Sequence, residues 1–301
     1  MKMNKLTKVG LSALCGSLAA VSSANAGEMT VTGGVDMSWI SKSEDTTGNP
    51  IGMGSNLTFK GSGELDNGWG FDYTVANLNG AAYSSTVVGL TMGGLGKITF
   101  NSGDSTAGID AFDDKMPTAW EEAWGAGLST GVRLALGSGA SQNIQYTTPT
   151  VLGTTLTLTA APDYGTADTA DKTTANSGDS KKNSYDATIN INPSLGTEIL
   201  SGLNIFGGAA TIEAVDAEAG VDDAYEGVAG VTYDIGPLSL GYQVSGEYTG
   251  YDDATDANPG KWNAYKNLAF GVAFNVNDDL SISYGGWEAK KAGYTDSSVN
   301  P

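Results

Sequence analysis

Residues 57–75 read LTFKGSGELDNGWGFDYTV, and this stretch decides the fold. Apolar and polar residues alternate on both sides of an Asp-Asn-Gly turn sequence at positions 66–68. The apolar positions before the turn are Leu57 and Phe59, and those after it are Phe71, Tyr73 and Val75. A period of two is the side-chain period of a β-strand, and Asp-Asn-Gly favours a tight hairpin turn. The stretch therefore predicts an antiparallel β-hairpin.

The same alternation recurs along most of the chain. We count about thirteen strands of roughly 8 to 11 residues, the length that crosses a lipid bilayer at a steep tilt. They are centred on residues 29–39, 57–65, 71–75, 88–92, 98–100, 144–146, 156–158, 185–191, 203–205, 225–233, 238–244, 268–274 and 280–284. One face of each run is apolar or aromatic and the other is small or polar, which predicts an all-β, antiparallel up-and-down sheet.

Short and long connections alternate between these strands. The short ones lie at 66–68, 93–96, 148–153, 192–194, 234–237 and 275–278, and the long polar ones at 42–52, 103–125, 162–182, 213–224 and 249–261. An outer-membrane β-barrel has short periplasmic turns and long extracellular loops, whereas a soluble sandwich has no reason to sort its loops in this way. An extracellular β-sandwich or β-helix is the alternative, in which the apolar face would form a core.

Composition excludes several classes of function. Of the 301 residues, 43 are Gly, 16% are charged and none is His, and the formal net charge is −19. The absence of His removes Ser-His-Asp catalysis, Cys-His catalysis and His-ligated metals, and the acidic surplus disfavours nucleic acid as a partner. Neighbouring acids such as Glu121 and Glu122 need not face each other across a sugar, as a glycosidase requires. We expect no enzyme activity, no catalytic residue, no cofactor and no metal.

The first 26 residues have the pattern of a secretory signal peptide. Lys2, Lys5 and Lys8 precede an apolar run at 9–21, and Ala-Asn-Ala at 24–26 is a small-x-small cleavage site. The run is too short for a membrane anchor, and Leu14 before Cys15 disfavours a lipoprotein site. We expect cleavage after residue 26, which leaves residues 27–301 as a single β-barrel domain without cysteine.

Several motifs together make the chain resemble a general porin of the alphaproteobacterial type. They are GELDNGW at 63–69, GGLG at 93–96 with ITF at 98–100 and GD at 103–104, IQYTTP at 144–149, and AFDDKMP at 111–117. The last lies where such porins carry the third extracellular loop, which folds into the pore. The resemblance implies a trimer of roughly sixteen-stranded transmembrane barrels in the bacterial outer membrane, in contact with lipid and lipopolysaccharide and each with its own aqueous channel.

The end of the sequence departs from that family pattern. Such barrels have an even number of strands and usually finish with an aromatic residue, whereas this sequence ends in the polar stretch DSSVNP at 296–301 after an odd-numbered strand. We therefore expect the sequence to be a fragment that lacks about three strands.

The alternation also predicts which charged and polar side chains face the channel lumen. On the face opposite the apolar one are Asp36, Lys60, Glu64, Asp72, Lys97, Asp186, Gln243, Glu226 and Glu247. For Glu64, Lys97 and Glu247, a solvated position at the rim of the barrel is an equal alternative.

The acidic segment at 103–127 is the predicted pore constriction. Its charged residues are Asp104, Asp110, Asp113, Asp114, Lys115, Glu121 and Glu122. Pro117 could begin a short helix over 118–124, and Arg133 and Lys60 would supply positive charge on the opposite wall, so that a transverse field orients polar solutes. The alternative is an ordinary exposed acidic loop.

These features predict an outer-membrane channel for passive diffusion of small hydrophilic solutes and ions, with a mild preference for cations. One alternative is a substrate-selective channel on the same barrel, for which Trp120 and Trp124 would favour sugars. A surface adhesin or structural barrel with a plugged lumen is the other. The pairs at 222–223 and 252–253 could hold Ca²⁺, but no spaced ligand loop is present, and solvated charges are the preferred interpretation.

Overall fold

The computed structural model describes residues 16–17, 28–39, 51–78, 85–102, 106–122, 134–139, 141–162, 164, 181–193, 198–214, 222–250 and 264–292. Of the residues singled out from the sequence, Asp104, Trp124, Arg133 and the pair at 252–253 lie outside these ranges.

Within the described ranges, fourteen β-strands form one sheet whose order follows the chain. They are β1 Gly16–Ser17, β2 Glu28–Trp39, β3 Ile51–Glu64, β4 Gly70–Leu78, β5 Ser85–Thr91, β6 Lys97–Ser102, β7 Asn143–Thr147, β8 Thr154–Ala161, β9 Lys181–Ile191, β10 Leu203–Ala214, β11 Ala224–Ile235, β12 Leu238–Tyr248, β13 Ala264–Asn277 and β14 Leu280–Ala292. Strands β2 to β14 correspond to the thirteen expected from the alternation, so the predicted all-β, antiparallel up-and-down fold is confirmed. β1 has two residues, lies within the predicted signal peptide and pairs Gly16 with Val31.

Residues 1–99 form the first of two compact units. Strands β2 and β3 pair from Glu28 opposite Ser62 to Trp39 opposite Ile51. Strand β3 turns into β4 at residues 66–68, where the Gly68 amide donates to the Leu65 carbonyl at 2.8 Å. Gly68 has a φ of 80°, a left-handed conformation that glycine adopts without steric cost. The hairpin predicted from residues 57–75 is therefore present.

Residues 100–301 form the second unit, and its sheet has polar residues buried and apolar residues exposed. On β12 the side chains of Gln243 and Glu247 are 2% and 6% exposed, whereas Tyr242 and Val244, the neighbours of Gln243, are 48% and 39% exposed. A soluble sandwich would bury the apolar face. The reversed arrangement is the one that a lipid-facing sheet requires, because the hydrocarbon side must be apolar.

Helical structure in the described ranges is restricted to short turns. These are 3-10 turns at Gly93–Leu95 and Gly108–Phe112 and one α-helical turn at Glu198–Ser201. No helix among the described residues has the length and apolar character needed to span a membrane.

The expectation of a helix beginning at Pro117 is wrong for the part that is described, since residues 117–122 are not helical. The Thr118 hydroxyl donates to the Glu121 carbonyl at 2.7 Å and lies 3.4 Å from the Trp120 amide. A side chain that bonds neighbouring backbone groups in this way competes with the helical pattern.

A small hydrophobic core lies in the second unit, between the sheet and the segments at 106–122 and 134–139. Its members are Ile109, Phe112, Met116, Ala135, Phe206, Ala210, Val228 and Ala269, with Trp287 packed against them. The Phe112 and Phe206 rings have their centroids 4.9 Å apart, a tilted contact favourable for aromatic pairs. These residues fix the acidic segment to the face of the sheet that also carries the buried polar side chains.

Candidate functional site

We call the described residues 106–122 the pore loop, after the constriction that the sequence predicts there, and residues 134–139 the return segment. Both belong to the second unit and lie against one face of its sheet. The turn Gly108–Phe112 contacts β8, β9, β10 and β11. The site therefore consists of an acidic loop and the sheet residues beneath it.

Asp186 on β9 joins the pore loop to the return segment. Its two carboxylate oxygens accept hydrogen bonds from the Ile109 amide at 2.9 Å, the Ser138 amide at 3.0 Å and the Ser138 hydroxyl at 2.7 Å. The side chain is 4% exposed. A buried carboxylate is tolerated when charge-assisted hydrogen bonds replace its hydration, and these bonds meet that requirement.

Two glycines allow this close approach to Asp186. Gly108 and Gly137 have φ values of 59° and 50°, in the left-handed region. A Cβ atom on either residue would collide with the Asp186 carboxylate. The loop sequence is therefore matched to this one acid on the sheet.

Two further side chains of the sheet hold backbone amides of the same segments. Glu226 on β11 accepts from the Gly137 amide at 2.6 Å, and Gln145 on β7 accepts from the Gly108 amide at 3.0 Å. Glu226 is 5% exposed. Irregular backbone buried against a sheet needs such partners, because unpaired amides are costly away from water.

Three of the predicted lumen acids lie in one row across the sheet. Asp186 is opposite Ala210, Ala210 is opposite Glu226, and Glu226 is opposite Glu247. Residues directly opposite each other in an antiparallel sheet share a face. The structure thus places these three acids on one face of the sheet and buries all of them; Glu247 is 6% exposed.

Asp110 lies in the pore loop beside this row and is 1% exposed. Its Oδ1 atom has no hydrogen-bond partner among the described residues. Burial, followed by the negative charges of Asp113, Asp114, Glu226 and Asp186, raises the pKa of Asp110 to about 8. Below about pH 8 the Asp110 carboxyl is consequently mostly protonated and neutral.

The more accessible acids of the pore loop also resist ionisation. Burial and the nearby charge of Asp114 raise the pKa of Asp113 to about 7. Burial, with the charge of Asp114 next in size, raises the pKa of Glu122 to about 8, and burial together with Glu121 raises the pKa of Asp114. Each charge is therefore harder to form while its neighbours are ionised.

Carboxylate oxygens of Asp114, Glu121 and Glu122 lie within 4.8 Å of one another. Oxygen ligands at this spacing are of the type that Ca²⁺ and Mg²⁺ use, so among the described residues these three could hold a divalent cation. Lys115, the basic residue of the pore loop, has its ammonium group 6.0 Å from the centre of the Phe112 ring.

In the first unit, two of the predicted lumen charges form an ion pair. The Lys97 ammonium lies 2.9 Å from Asp72, and the side chains are 39% and 36% exposed. Asp36 on β2 and Lys60 and Glu64 on β3 are exposed. They lie on the same face of the sheet as Asp72 on β4.

Several residues that attach the pore loop and the return segment to the sheet were not among the sequence predictions. Gln145, Phe206, Gly108 and Gly137 belong to this group. Phe206 carries a signal in the sequence, because it is aromatic at a position where the alternation calls for a small or polar side chain. The contacts of the other three join residues far apart in the chain, such as Gly137 and Glu226, which are 89 positions apart.

A lipid-facing antiparallel sheet with an acidic loop on its polar face defines the class of channel-forming β-barrel proteins. A family model described as Gram-negative porin matches residues 10–300. The chain belongs to this family, which confirms the resemblance seen in the sequence and makes it a channel protein of the bacterial outer membrane.

Solved structures that are similar to the chain have low sequence identity to it. A porin refined at 1.8 Å resolution is 13% identical, covers 88% of this chain and 84% of its own, and has a TM-score of 0.60. A mutant of Rh. blastica porin is 11% identical, with coverages of 88% and 93% and a TM-score of 0.42. A loop-deletion mutant of OmpT, an outer membrane protein of Vibrio cholerae, is 12% identical, with coverages of 90% and 94% and a TM-score of 0.44. No curated protein sequence matches the chain significantly.

Proposed function

We propose that the protein forms a water-filled channel through which small hydrophilic solutes and ions diffuse passively, with a mild preference for cations. One observation carries the proposal. The pore loop holds Asp110, Asp113, Asp114, Glu121 and Glu122 with one basic residue, and it lies on the polar face of the sheet. Fixed carboxylates beside a narrow aqueous path attract cations and repel anions.

The acids divide into two groups by their contacts. Asp186 accepts from backbone amides of the pore loop and the return segment, and Glu226 accepts from an amide of the return segment, so their role in the proposal is to hold these two segments. Asp113, Asp114 and Glu121 are less buried, and we assign ion selection to them. Lys60 and Arg133 are proposed as the positive groups of the opposite wall, and Asp104 as a further acid of the constriction.

Reversal potentials in planar bilayers test this proposal. Under a salt gradient, Asp113→Asn with Asp114→Asn should lower the permeability ratio of K⁺ to Cl⁻, because two carboxylates leave the constriction. The matched control is Asp278→Asn with Asp279→Asn, which removes two charges from the exposed turn between β13 and β14. A double variant in the loop with the wild-type ratio would contradict the assignment. A wild-type protein that forms no channel would contradict the function itself.

A solute-selective channel is the second candidate, and the exposure of Trp120 favours it. This side chain is 54% exposed within the pore loop, and an exposed indole is a stacking surface for sugar rings. If the channel selects sugars, a disaccharide should reduce the ion current in the wild type and have a weaker effect in Trp120→Ala. Equal currents with and without the sugar would leave general diffusion as the function.

The proposed partners are outer-membrane lipid with lipopolysaccharide and two further copies of the chain in a homotrimer. Exposed apolar residues on the outer face of the sheet, such as Tyr242, Val272 and Tyr284, support contact with lipid. Cross-linking of the protein in native outer-membrane vesicles would test the trimer, since a trimer yields a product of three times the chain mass.

A further inference from the structure

Three glycines lie side by side across the last strands of the second unit. Gly241 on β12 is opposite Gly271 on β13, and Gly271 is opposite Gly285 on β14. They share the face of Gln243 and Asn267, which lie two and four positions from Gly241 and Gly271 on the same strands and are buried. The polar face of the sheet therefore has a strip without side chains at this level.

Met116 and Pro117, which we call the tip of the pore loop, pack against this glycine strip. A Cβ atom on Gly271 would lie 2.9 Å from the Pro117 nitrogen and 3.2 Å from the Met116 carbonyl carbon. A Cβ atom on Gly241 would lie 3.2 Å from the Met116 sulfur and would collide with the Pro117 ring. Because the obstacles at Gly271 are backbone atoms, no change of rotamer could make room there.

One residue further along, the loop reaches β14. The Thr118 hydroxyl lies 3.4 Å from the hydroxyl of Ser283, which is two positions from Gly285. The third glycine does not touch the loop: a Cβ atom on Gly285 would meet the Phe270 carbonyl at 3.1 Å. Gly241 and Gly271 thus contact the pore loop, whereas the nearest neighbours of Gly285 belong to the sheet itself.

The pore loop is consequently attached at two places along its length. Near its start, Gly108 and Ile109 are held by Gln145 and Asp186, and at its tip Met116 and Pro117 lie on the glycine strip. The acids at 113–114 lie between these attachments, so their distance from the sheet depends on how closely the tip approaches it.

We infer that Gly241 and Gly271 are positioning residues of the channel: they form a seat that keeps the loop tip flat against the sheet and so sets the open cross-section beside it. The inference rests on the proposed function, in which the loop is the constriction. A side chain at the seat would push the tip away from the sheet into the aqueous path, because Asp186 still holds the loop at Ile109.

Single-channel recording of Gly271→Val tests the seat, with Gly227→Val, on the apolar face of β11, as the control for adding a valine to a strand. Both changes add the same side chain to a strand, but a Cβ atom on Gly227 meets its nearest neighbour, the Gly208 carbonyl, at an ordinary 3.7 Å. We expect conductance to fall by roughly a third in Gly271→Val, because a narrower polar path carries less current, and to stay at the wild-type value in Gly227→Val. Equal conductance in the two variants would overturn the inference.

A disulfide trap tests the same contact without any current. Thr118→Cys with Ser283→Cys places two thiols where the hydroxyls are 3.4 Å apart. Oxygen with a copper catalyst should oxidise them to a disulfide, with loss of two protons and two electrons, and the single variants should form none. Adding Gly271→Val should slow this oxidation several-fold, because the tip is displaced.

The two experiments separate failure of the seat from failure of the channel. Rapid cross-linking that is slowed by Gly271→Val supports the seat even in a protein that conducts no ions. Thiols that both react with a maleimide but do not cross-link would overturn the seat, even in a protein whose channel behaves as proposed.

Discussion

Asp186 joins two loop segments and the sheet, so a single buried carboxylate determines much of the site. Its bonds reach residues 77 and 48 positions away, at Ile109 and Ser138. These hydrogen bonds replace water around the Asp186 carboxylate. An uncharged side chain of similar size could not accept all of them, because the two backbone amides are fixed in place and each needs an acceptor.

Asp186→Asn should therefore release the pore loop from the sheet. The Asn side chain has one acceptor oxygen, and its NH₂ group would face backbone N–H groups that are also donors. Each lost charge-assisted bond costs about 1.5 to 3 kcal/mol. We expect faster protease cleavage within residues 106–122, measured by mass spectrometry of the folded protein. Asp234→Asn is the control, since that acid is exposed near the end of β11, away from the loop, and its carboxylate accepts from the Ser239 hydroxyl. Equal cleavage in both variants would contradict this role.

Phe206 has a comparable effect through packing. It is 2% exposed and lies against Phe112 on the otherwise polar face. Phe206→Ala should lower the free energy of unfolding by about 3 to 5 kcal/mol, because it leaves a cavity under the loop. Urea unfolding in lipid vesicles measures this. Phe274→Ala, whose ring is 39% exposed, should cost clearly less, and a larger loss at Phe274 would show that loop packing contributes little.

At the scale of strands and turns, glycine has two uses that the composition alone does not separate. Some glycines supply backbone conformation, as Gly68 does in the turn between β3 and β4. Others leave room for a side chain on the next strand: a Cβ atom on Gly54 would collide with Asp36, and one on Gly230 would collide with Phe206. The high glycine content thus follows from a sheet whose polar face carries large or charged groups.

The turn between β3 and β4 provides a direct test of the first use. Gly68→Ala should lower the free energy of unfolding by roughly 1 kcal/mol, because a side chain at a φ of 80° is strained. Gly94→Ala is the comparison, since a Cβ atom on Gly94 meets nothing within 4 Å and its φ is not positive. If both variants unfold at the same urea concentration, the turn conformation does not limit stability.

Local patterns predicted the strands but not the attachment of the loop. The period of two fixes each strand and the face of acids such as Asp186, because it depends only on neighbouring residues. What holds the loop depends on pairs distant in sequence, such as Met116 with Gly241, and no spacing rule reveals them. The expected helix after Pro117 is wrong because the Thr118 hydroxyl bonds the local backbone.

For the whole molecule, the crowding of acids links channel selectivity to pH. Asp110, Asp113 and Glu122 have pKa values raised to about 8, 7 and 8, with burial as the main cause in each. A carboxyl whose pKa is higher in the folded state stabilises that state fully only below its unfolded pKa, and this contribution is lost as pH rises through the folded value. These three carboxyl groups therefore favour docking of the pore loop against the sheet most strongly at acidic pH.

Cation preference should consequently increase as the pH is raised from about 6 to about 9, because the acids of the pore loop ionise over that range. Reversal potentials recorded at several pH values in planar bilayers measure it. The charged groups that act on Asp113 and Asp110 are Asp114, Glu121, Asp186 and Glu226, all of them acidic. Each ionisation therefore raises the pKa of the acids that are still protonated, and the cation preference should increase gradually with pH. Asp113→Asn should remove the part of the increase near pH 7, where that residue is half ionised, while Asp278→Asn should leave the profile unchanged. A wild-type profile that is flat over this range would show that the loop acids do not control ion selection.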